Sequence, residues 1–163
     1  MKQSFRRFLM AWTLQGLWVL LTLACALATI TTSTPVELGG YALAGSLVWL
    51  FGFSIEVVAD LQKSRFRRDP LNRDRFIKRG LWSWSRHPNY FGDFLVWWGL
   101  YLVSFGDGGM WWSVIGPVVM SICLMKISGV TLLEKSLRKR RSGYDEYIER
   151  TSAFFPRPPK RSA

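Results

Sequence analysis

The chain alternates long apolar runs with short basic ones. About twenty apolar residues are enough to cross a bilayer as a helix. Transmembrane helices are predicted at residues 8–32, 38–58, 90–106 and 108–127, with a basic cytoplasmic loop at 59–89 and a basic cytoplasmic tail at 128–163. The pattern predicts an all-α polytopic membrane protein with about four transmembrane helices and a C-terminal amphipathic helical tail.

The distribution of charge predicts the topology. Three cations precede the first predicted helix, nine lie between Leu61 and Pro88, and nine lie in the tail. The two opposite connections hold only Glu37 and Asp107 as charged residues. Because loops rich in Lys and Arg stay on the cytoplasmic side, we expect both termini in the cytoplasm.

The net charge of +11 raises the question of a nucleic-acid partner. The basic residues lie beside apolar runs, however, where anionic membrane lipid or a phosphate-bearing cofactor accounts for them better. No nucleic-acid partner is therefore predicted. Cys25 and Cys123 lie inside apolar runs, and with a single His in the chain they do not have the spacing of metal ligands. No metal site is expected.

The candidate functional side chains cluster where the basic loop meets the third predicted helix. Arg86, His87, Asn89, Tyr90 and Asp93 place a fixed cation, the only histidine, an amide, a phenol and a carboxylate within eight residues. Polar groups at a membrane boundary are costly unless they have partners, so their clustering indicates a functional site. Arg pairs with phosphate in a bidentate manner, and Asn binds a carboxamide or a ribose through donor and acceptor.

Cations and carboxylates just upstream extend this candidate site. Lys63 and Arg67 are four residues apart, a spacing that forms a clamp for one phosphate at a helix end. Glu56 and Asp60 share a helical face in the same way. These two carboxylates are either solvated charges or partners for the loop arginines and the hydroxyl groups of a cofactor.

Trp82 and Tyr90 offer flat faces for an adenine or nicotinamide ring. The sequence has no glycine-rich Rossmann fingerprint and no phosphate-binding P-loop. Any nucleotide must therefore be held by helix ends and side chains.

The basic tail leaves two interpretations open. It forms either an amphipathic helix on the membrane surface or a lid in which Glu134, Tyr144 and Tyr147 fold back over the basic loop.

The segment Arg86-His87-Pro88-Asn89-Tyr90-Phe91-Gly92-Asp93, preceded by Gly80-Leu81-Trp82, resembles the signature of the steroid 5-alpha-reductase and sterol C14-reductase superfamily. Asp60-Leu61-Gln62-Lys63 with Phe66-Arg67 resembles its upstream element, and Leu133-Glu134 through Gly143-Tyr144 and Tyr147 resembles its tail. The similarity extends from about Gly52 to Pro159 and is closest to the bacterial uncharacterised steroid-reductase-like membrane proteins. A bacterial inner membrane is therefore the favoured location.

This resemblance implies a helical membrane enzyme that uses NADPH to reduce a carbon–carbon double bond in a lipid or steroid-like substrate. The residues it assigns to the NADPH site are Asp60, Lys63, Arg67, Trp82, Arg86, His87, Asn89, Tyr90, Asp93, Glu134 and Tyr144. Tyr90 and Tyr144 are the candidate catalytic proton donors, with Tyr147 as a further one.

Two departures from the family pattern are notable. Asp93 stands where many members have Glu, although the sterol-reductase branch also has Asp. Family members also usually carry further transmembrane helices before the segment that begins here. The resemblance therefore leaves three alternatives: a shortened member of the family, a fragment, or a half for which a homo-oligomer or a partner supplies the missing helices.

Two other functions remain open. The Arg-His-Pro portion is shared with isoprenylcysteine carboxyl methyltransferases, which bind S-adenosylmethionine there. A non-enzymatic membrane scaffold would use the basic loop only to bind anionic lipid.

Overall fold

The structure, a computed structural model, describes residues 5–31, 39–106, 111–127, 130, 134–135, 137–138 and 143–160, without the side chain of Arg7. Over these residues the chain is helical apart from its connections, which confirms the predicted fold class in its general form. The helices are α1 (Phe5–Thr22), α2 (Ala24–Thr31), α3 (Gly40–Arg68), α4 (Pro88–Gly106), α5 (Ile115–Ile122) and α6 (Tyr144–Arg150). Short 3-10 turns lie at Pro70–Asn72, Gly80–Ser83 and Trp111–Val114, and a π-helical turn at Cys123–Ile127.

Helices α3 and α4 form a close antiparallel pair. Glycines of one helix face the backbone of the other, with Gly45 opposite Gly99 and Gly52 opposite Gly92. A Cβ atom on Gly92 would lie 2.6 Å from the Gly52 carbonyl oxygen. Small residues let helices approach this closely, which maximises van der Waals contact. The pairing brings the end of α3 beside the start of α4.

The remaining apolar helices pack against one another and against α4. The Ser104 hydroxyl donates to the Cys25 carbonyl at 3.1 Å, which joins α4 to α2. Trp98 Nε1 donates to the Ser121 hydroxyl at 3.2 Å, which joins α4 to α5. Each bond satisfies a polar group within an otherwise apolar contact.

Helix α3 is long and apolar enough to cross a membrane. Helices α1 and α2 meet the same criteria only when taken together, and the chain bends by 54° between Phe8–Thr22 and Ala24–Thr31. The apolar helical stretch Trp111–Lys126 is shorter. The predicted number of four spans is therefore not confirmed, and the connections predicted around residues 32–38 and 107–110 lie outside the described residues.

Helix α3 also continues beyond its predicted end at residue 58. Its last turns carry Arg65, Arg67 and Arg68, and cations at a helix C-terminus interact favourably with the helix dipole. Asp69 follows the helix, and its side chain accepts a hydrogen bond from the Leu71 amide at 2.9 Å at the start of the next turn, Pro70–Asn72. The first part of the predicted basic loop is therefore helical.

Candidate functional site

A cavity of about 420 Å³ lies where α3 ends and α4 begins. Its volume is within the range of small-molecule and cofactor sites. It is lined by Lys63, Phe66, Arg67, Asn72, Arg73, Arg75, Phe76, Ile77, Trp82, Arg86, His87, Asn89, Tyr90, Leu137, Tyr144 and Tyr147. Five of these residues are Lys or Arg, and none of the described lining residues is Asp or Glu. The cavity therefore favours an anionic ligand with flat or apolar parts.

The last turns of α3 supply Lys63 and Arg67. Lys63 Nζ lies 5.3 Å from the centroid of the Trp82 ring, within the range of a cation–π contact. Burial lowers the pKa of Lys63, the charge of Arg67 lowers it further, and Asp60 opposes the shift. A negatively charged ligand beside Lys63 and Arg67 would relieve the repulsion between these two cations.

Trp82 is held against α3 by two hydrogen bonds. Its Nε1 donates to the Ala59 carbonyl at 3.1 Å, and the Leu81 amide donates to Gln62 Oε1 at 3.1 Å. Gly80 makes the turn with φ +63°, where a Cβ would lie 2.6 Å from the Gln62 side chain. Glycine is favoured here because it adopts positive φ readily and leaves room for Gln62.

Asn89 and Tyr90 enter the cavity from the first turn of α4. Asn89 Nδ2 donates to Asp60 Oδ1 at 3.2 Å, which fixes the amide against the end of α3. The Tyr90 ring lies nearly parallel to that of His87, with centroids 5.6 Å apart and an interplanar angle of 10°. Lys63, Arg67 and Asn89, which the sequence predicted to converge, thus line one cavity.

The C-terminal segment, residues 143–160, runs back along the chain from Trp84 to Arg86. The Arg86 amide donates to the Ser152 carbonyl at 2.8 Å, and the Arg157 amide donates to the Trp84 carbonyl at 2.9 Å. The fully buried Ser85 donates its hydroxyl to the Phe154 carbonyl at 2.8 Å. Of the two interpretations of the tail, this described part matches the one in which the tail folds back.

Glu134, which lies nearer the start of the tail, also contacts Arg86. Arg86 donates to its two carboxylate oxygens at 2.7 and 3.1 Å. His87 Nε2 lies 3.3 Å from Glu134 Oε1, near enough for charge pairing but without a well-aligned hydrogen bond. Burial raises the pKa of Glu134, but its close polar contacts with His87 and Arg86 outweigh burial, and the net pKa is below its ordinary value.

Tyr144 and Tyr147, both on α6, close the cavity together with Phe76. Their rings are in mutual contact, with centroids 5.1 to 5.8 Å apart. The Tyr147 hydroxyl donates to the Trp82 carbonyl. Burial, followed by the charge of Glu134, raises the pKa of Tyr144 to about 12.

Eight of the eleven predicted site residues line the cavity: Lys63, Arg67, Trp82, Arg86, His87, Asn89, Tyr90 and Tyr144. Asp60 and Glu134 are not in the lining, but each accepts a hydrogen bond from a lining residue, Asp60 from Asn89 and Glu134 from Arg86. The remaining residue, Asp93, accepts a hydrogen bond from Trp97 Nε1 at 3.0 Å and is absent from the lining.

Sequence reasoning missed several residues of this site. Ser85 acts through a hydrogen bond to a chain segment that is distant in sequence, and Gln62, which the sequence placed in the upstream element without a role, acts in the same way. Phe76 carried a usable signal, because an aromatic residue between the cations of a basic loop is unusual unless it packs against something.

The fold and the site therefore define a helical protein with a cationic, aromatic cavity closed by its own C-terminal region. The family model described as "Protein of unknown function (DUF1295)" matches residues 1–151. The chain belongs to this family, which is the steroid 5-alpha-reductase-like family, and the resemblance recognised from the motifs is confirmed at this level.

Curated relatives match parts of the chain. A Delta(14)-sterol reductase of Saccharomyces cerevisiae is 42% identical over 73 residues, which are 39% of this chain and 17% of that protein. A Delta(14)-sterol reductase of Ascobolus immersus is 32% identical over 94 residues, which are 49% of this chain and 22% of the relative. A probable O-methyltransferase of Ustilaginoidea virens is 32% identical over 116 residues, which are 61% of this chain and 39% of the relative. The chain thus spans less than half the length of these relatives, and no solved structure matches it.

Proposed function

We propose that the chain is a membrane-embedded reductase that uses NADPH to reduce a carbon–carbon double bond in a lipid or steroid-like substrate. The observation that carries this proposal is the cavity in which Lys63 and Arg67 meet Asn89 and Tyr90. The similarity to two sterol reductases supports the reaction class.

The lining fits the parts of a dinucleotide phosphate. Lys63 and Arg67 at the end of α3, with Arg73 and Arg75 nearby, would bind the phosphates. Trp82 would offer its ring face to a base, and NADPH would supply the hydride when bound. Asn89, oriented by Asp60, would bind a carboxamide or ribose hydroxyl.

Tyr90 and Tyr144 are the proposed proton donors. In reduction of a carbon–carbon double bond, one carbon receives a hydride and the other a proton. With its pKa raised to about 12, Tyr144 retains its proton at neutral pH, as such a donor must. The Tyr147 hydroxyl is instead engaged by the Trp82 carbonyl, which favours Tyr90 and Tyr144 over it.

Glu134, held by Arg86 and close to His87, would close the cofactor site from the tail. Asp93 would act from α4, outside the cavity lining, by keeping the first turns of the helix in place through Trp97.

The location follows from the same proposal. The cavity would face the cytoplasm, where NADPH is found, with both termini on that side of a bacterial inner membrane. The lipid or steroid-like substrate would reach it from the bilayer.

The experiment uses the full chain, purified and reconstituted in lipid nanodiscs. NADPH should raise the unfolding temperature and should be oxidised in the presence of at least one member of a panel of steroid and isoprenoid enones. Arg67→Ala should weaken both effects, whereas Arg157→Ala, which removes an exposed cation outside the cavity lining, should not. A chain that binds no nucleotide would refute the proposal and favour a scaffold that binds lipid.

A second candidate function is an S-adenosylmethionine-dependent methyltransferase of the isoprenylcysteine type. The match to the probable O-methyltransferase over 61% of the chain favours it. Competition between NADPH and S-adenosylmethionine for the same reconstituted protein separates the two, because only the cognate cofactor should bind tightly. The many cations of the cavity favour NADPH, since S-adenosylmethionine carries no phosphate.

A further inference from the structure

Arg86 is buried, with 8% of its surface exposed, and its guanidinium points mostly to the tail. Nε and Nη2 donate to the Glu134 carboxylate, while Nη1 donates to the Ile148 carbonyl at 2.9 Å and the Thr151 carbonyl at 2.6 Å. A guanidinium has five N–H donors, so four of them are used within the protein. Only one remains for a ligand.

The two carbonyl contacts lie at the end of α6. The last carbonyls of a helix have no partner within the helix, and a cation there is favoured by the helix dipole. Arg86 therefore acts as a C-terminal cap supplied from a distant part of the chain. Tyr147 and Tyr144 lie on this same short helix, one and two turns before Thr151.

We propose that Arg86 is a positioning residue, which holds α6 so that Tyr144 and Tyr147 form one wall of the cavity. The anion-binding role then falls to Lys63 and Arg67, which make no hydrogen bond or ion pair with the described residues of the tail. The part of this inference that concerns ligand affinity rests on the proposed function. The part that concerns the tail stands without it.

Arg86→Lys tests the inference because it keeps the charge and removes the planar fork of donors. Without any ligand, hydrogen exchange of the Thr151 and Arg157 amides should become about tenfold faster or more, since hydrogen bonds to a charged group are among the stronger ones. Exchange within α3 and α4 should be unchanged. Arg67→Lys is the matched control and should leave exchange of both tail amides as in the wild type.

The dependence of NADPH affinity on the Tyr144 background supplies a readout that separates positioning of the wall from direct contact with the ligand. Arg86→Lys should weaken NADPH binding about tenfold in the wild-type background, but less than about twofold when Tyr144→Ala has already removed part of the wall. Equal losses in both backgrounds would mean that Arg86 contacts the ligand directly, and the inference would be wrong.

The hydrogen-exchange measurement distinguishes failure of the proposed function from failure of the positioning role of Arg86. If the wild type binds no dinucleotide, the proposed function fails while the tail measurement remains decisive. Unchanged tail exchange in Arg86→Lys, or faster exchange spread equally over α3 and α4, would overturn the positioning role.

Discussion

Gly92 offers a direct test of how the close α3–α4 contact determines the candidate site. A methyl group at this position would lie 2.6 Å from the Glu56 amide nitrogen and 2.6 Å from the Gly52 carbonyl oxygen. Both are backbone atoms, which cannot rotate away as a flexible side chain can. Gly92→Ala must therefore push the two helices apart.

The size of the effect follows from these distances. Ordinary contact begins at 3.4 Å, so the helices must separate locally by about 0.8 Å, an overpacking that typically costs about 1–3 kcal/mol. For a chain of this size, each kcal/mol lowers the unfolding temperature by about 2–4 °C. The Asn89–Asp60 hydrogen bond, now 3.2 Å long, lies one turn from Gly92 and would lengthen beyond hydrogen-bonding distance.

Thermal unfolding and NADPH affinity measured on the reconstituted protein check this prediction. Gly16→Ala is the matched control, because a Cβ at Gly16 would have nothing within 4 Å. The control should unfold at or slightly above the wild-type temperature, since Ala is the better helix former. Gly92→Ala should unfold earlier and bind NADPH about tenfold more weakly or worse, as misplaced binding groups are costly. If Gly92→Ala matched Gly16→Ala in both measurements, the close contact would not be what holds the site together.

Three further predictions concern single charges and protons. Arg67→Ala should reduce NADPH affinity by about tenfold to a hundredfold, as expected for the loss of a charge-assisted hydrogen bond, measured by titration calorimetry against Arg157→Ala. Because the pKa of Glu134 is held below its ordinary value of 4.5, its contribution to tail docking is present above that value and is lost as the pH falls through the depressed pKa. Hydrogen exchange of the tail should accelerate in that acid range in the wild type but not in Glu134→Gln, and a flat wild-type profile would contradict the assignment. Because the pKa of Tyr144 is raised from 10.0 to about 12, stability should fall as the pH rises through this interval. Alkaline unfolding should be less steep in Tyr144→Phe, and equal slopes would refute this.

Much of the site could be predicted because its chemistry is local in sequence. Lys63 and Arg67 are one helical turn apart, the residues from Arg86 to Tyr90 are close in sequence, and both groups border the same cavity. Short-range spacing indicates which side chains share a face. The resemblance of these local motifs to a known family was also confirmed.

The end of α3 could not be predicted from hydropathy. The apolar run stops near residue 58, but the helix continues because its polar last turns satisfy their backbone hydrogen bonds in water as well as in lipid. The break between α1 and α2 could not be predicted either, because residues 8–32 form one uncharged and mainly apolar run that continues across the bend.

The role of Arg86 was beyond sequence reasoning for a different reason. Its partners Glu134, Ile148 and Thr151 lie 48 to 65 residues away. An arginine that binds a phosphate and one that caps a distant helix look alike in a linear motif. Only the folded arrangement of donors distinguishes them.

The return of residues 143–160 to the segment at Trp84–Arg86 has a consequence for biosynthesis. Protein chains are made from the N-terminus, and domains can begin to fold while synthesis continues. A nascent chain that has completed α3 and α4 already presents Lys63 and Arg67, but its cavity is still open on the side of Tyr144 and Tyr147. The closed pocket therefore forms only after residues 143–160 have left the ribosome, and a polypeptide released before them would lack the wall made by Tyr144 and Tyr147.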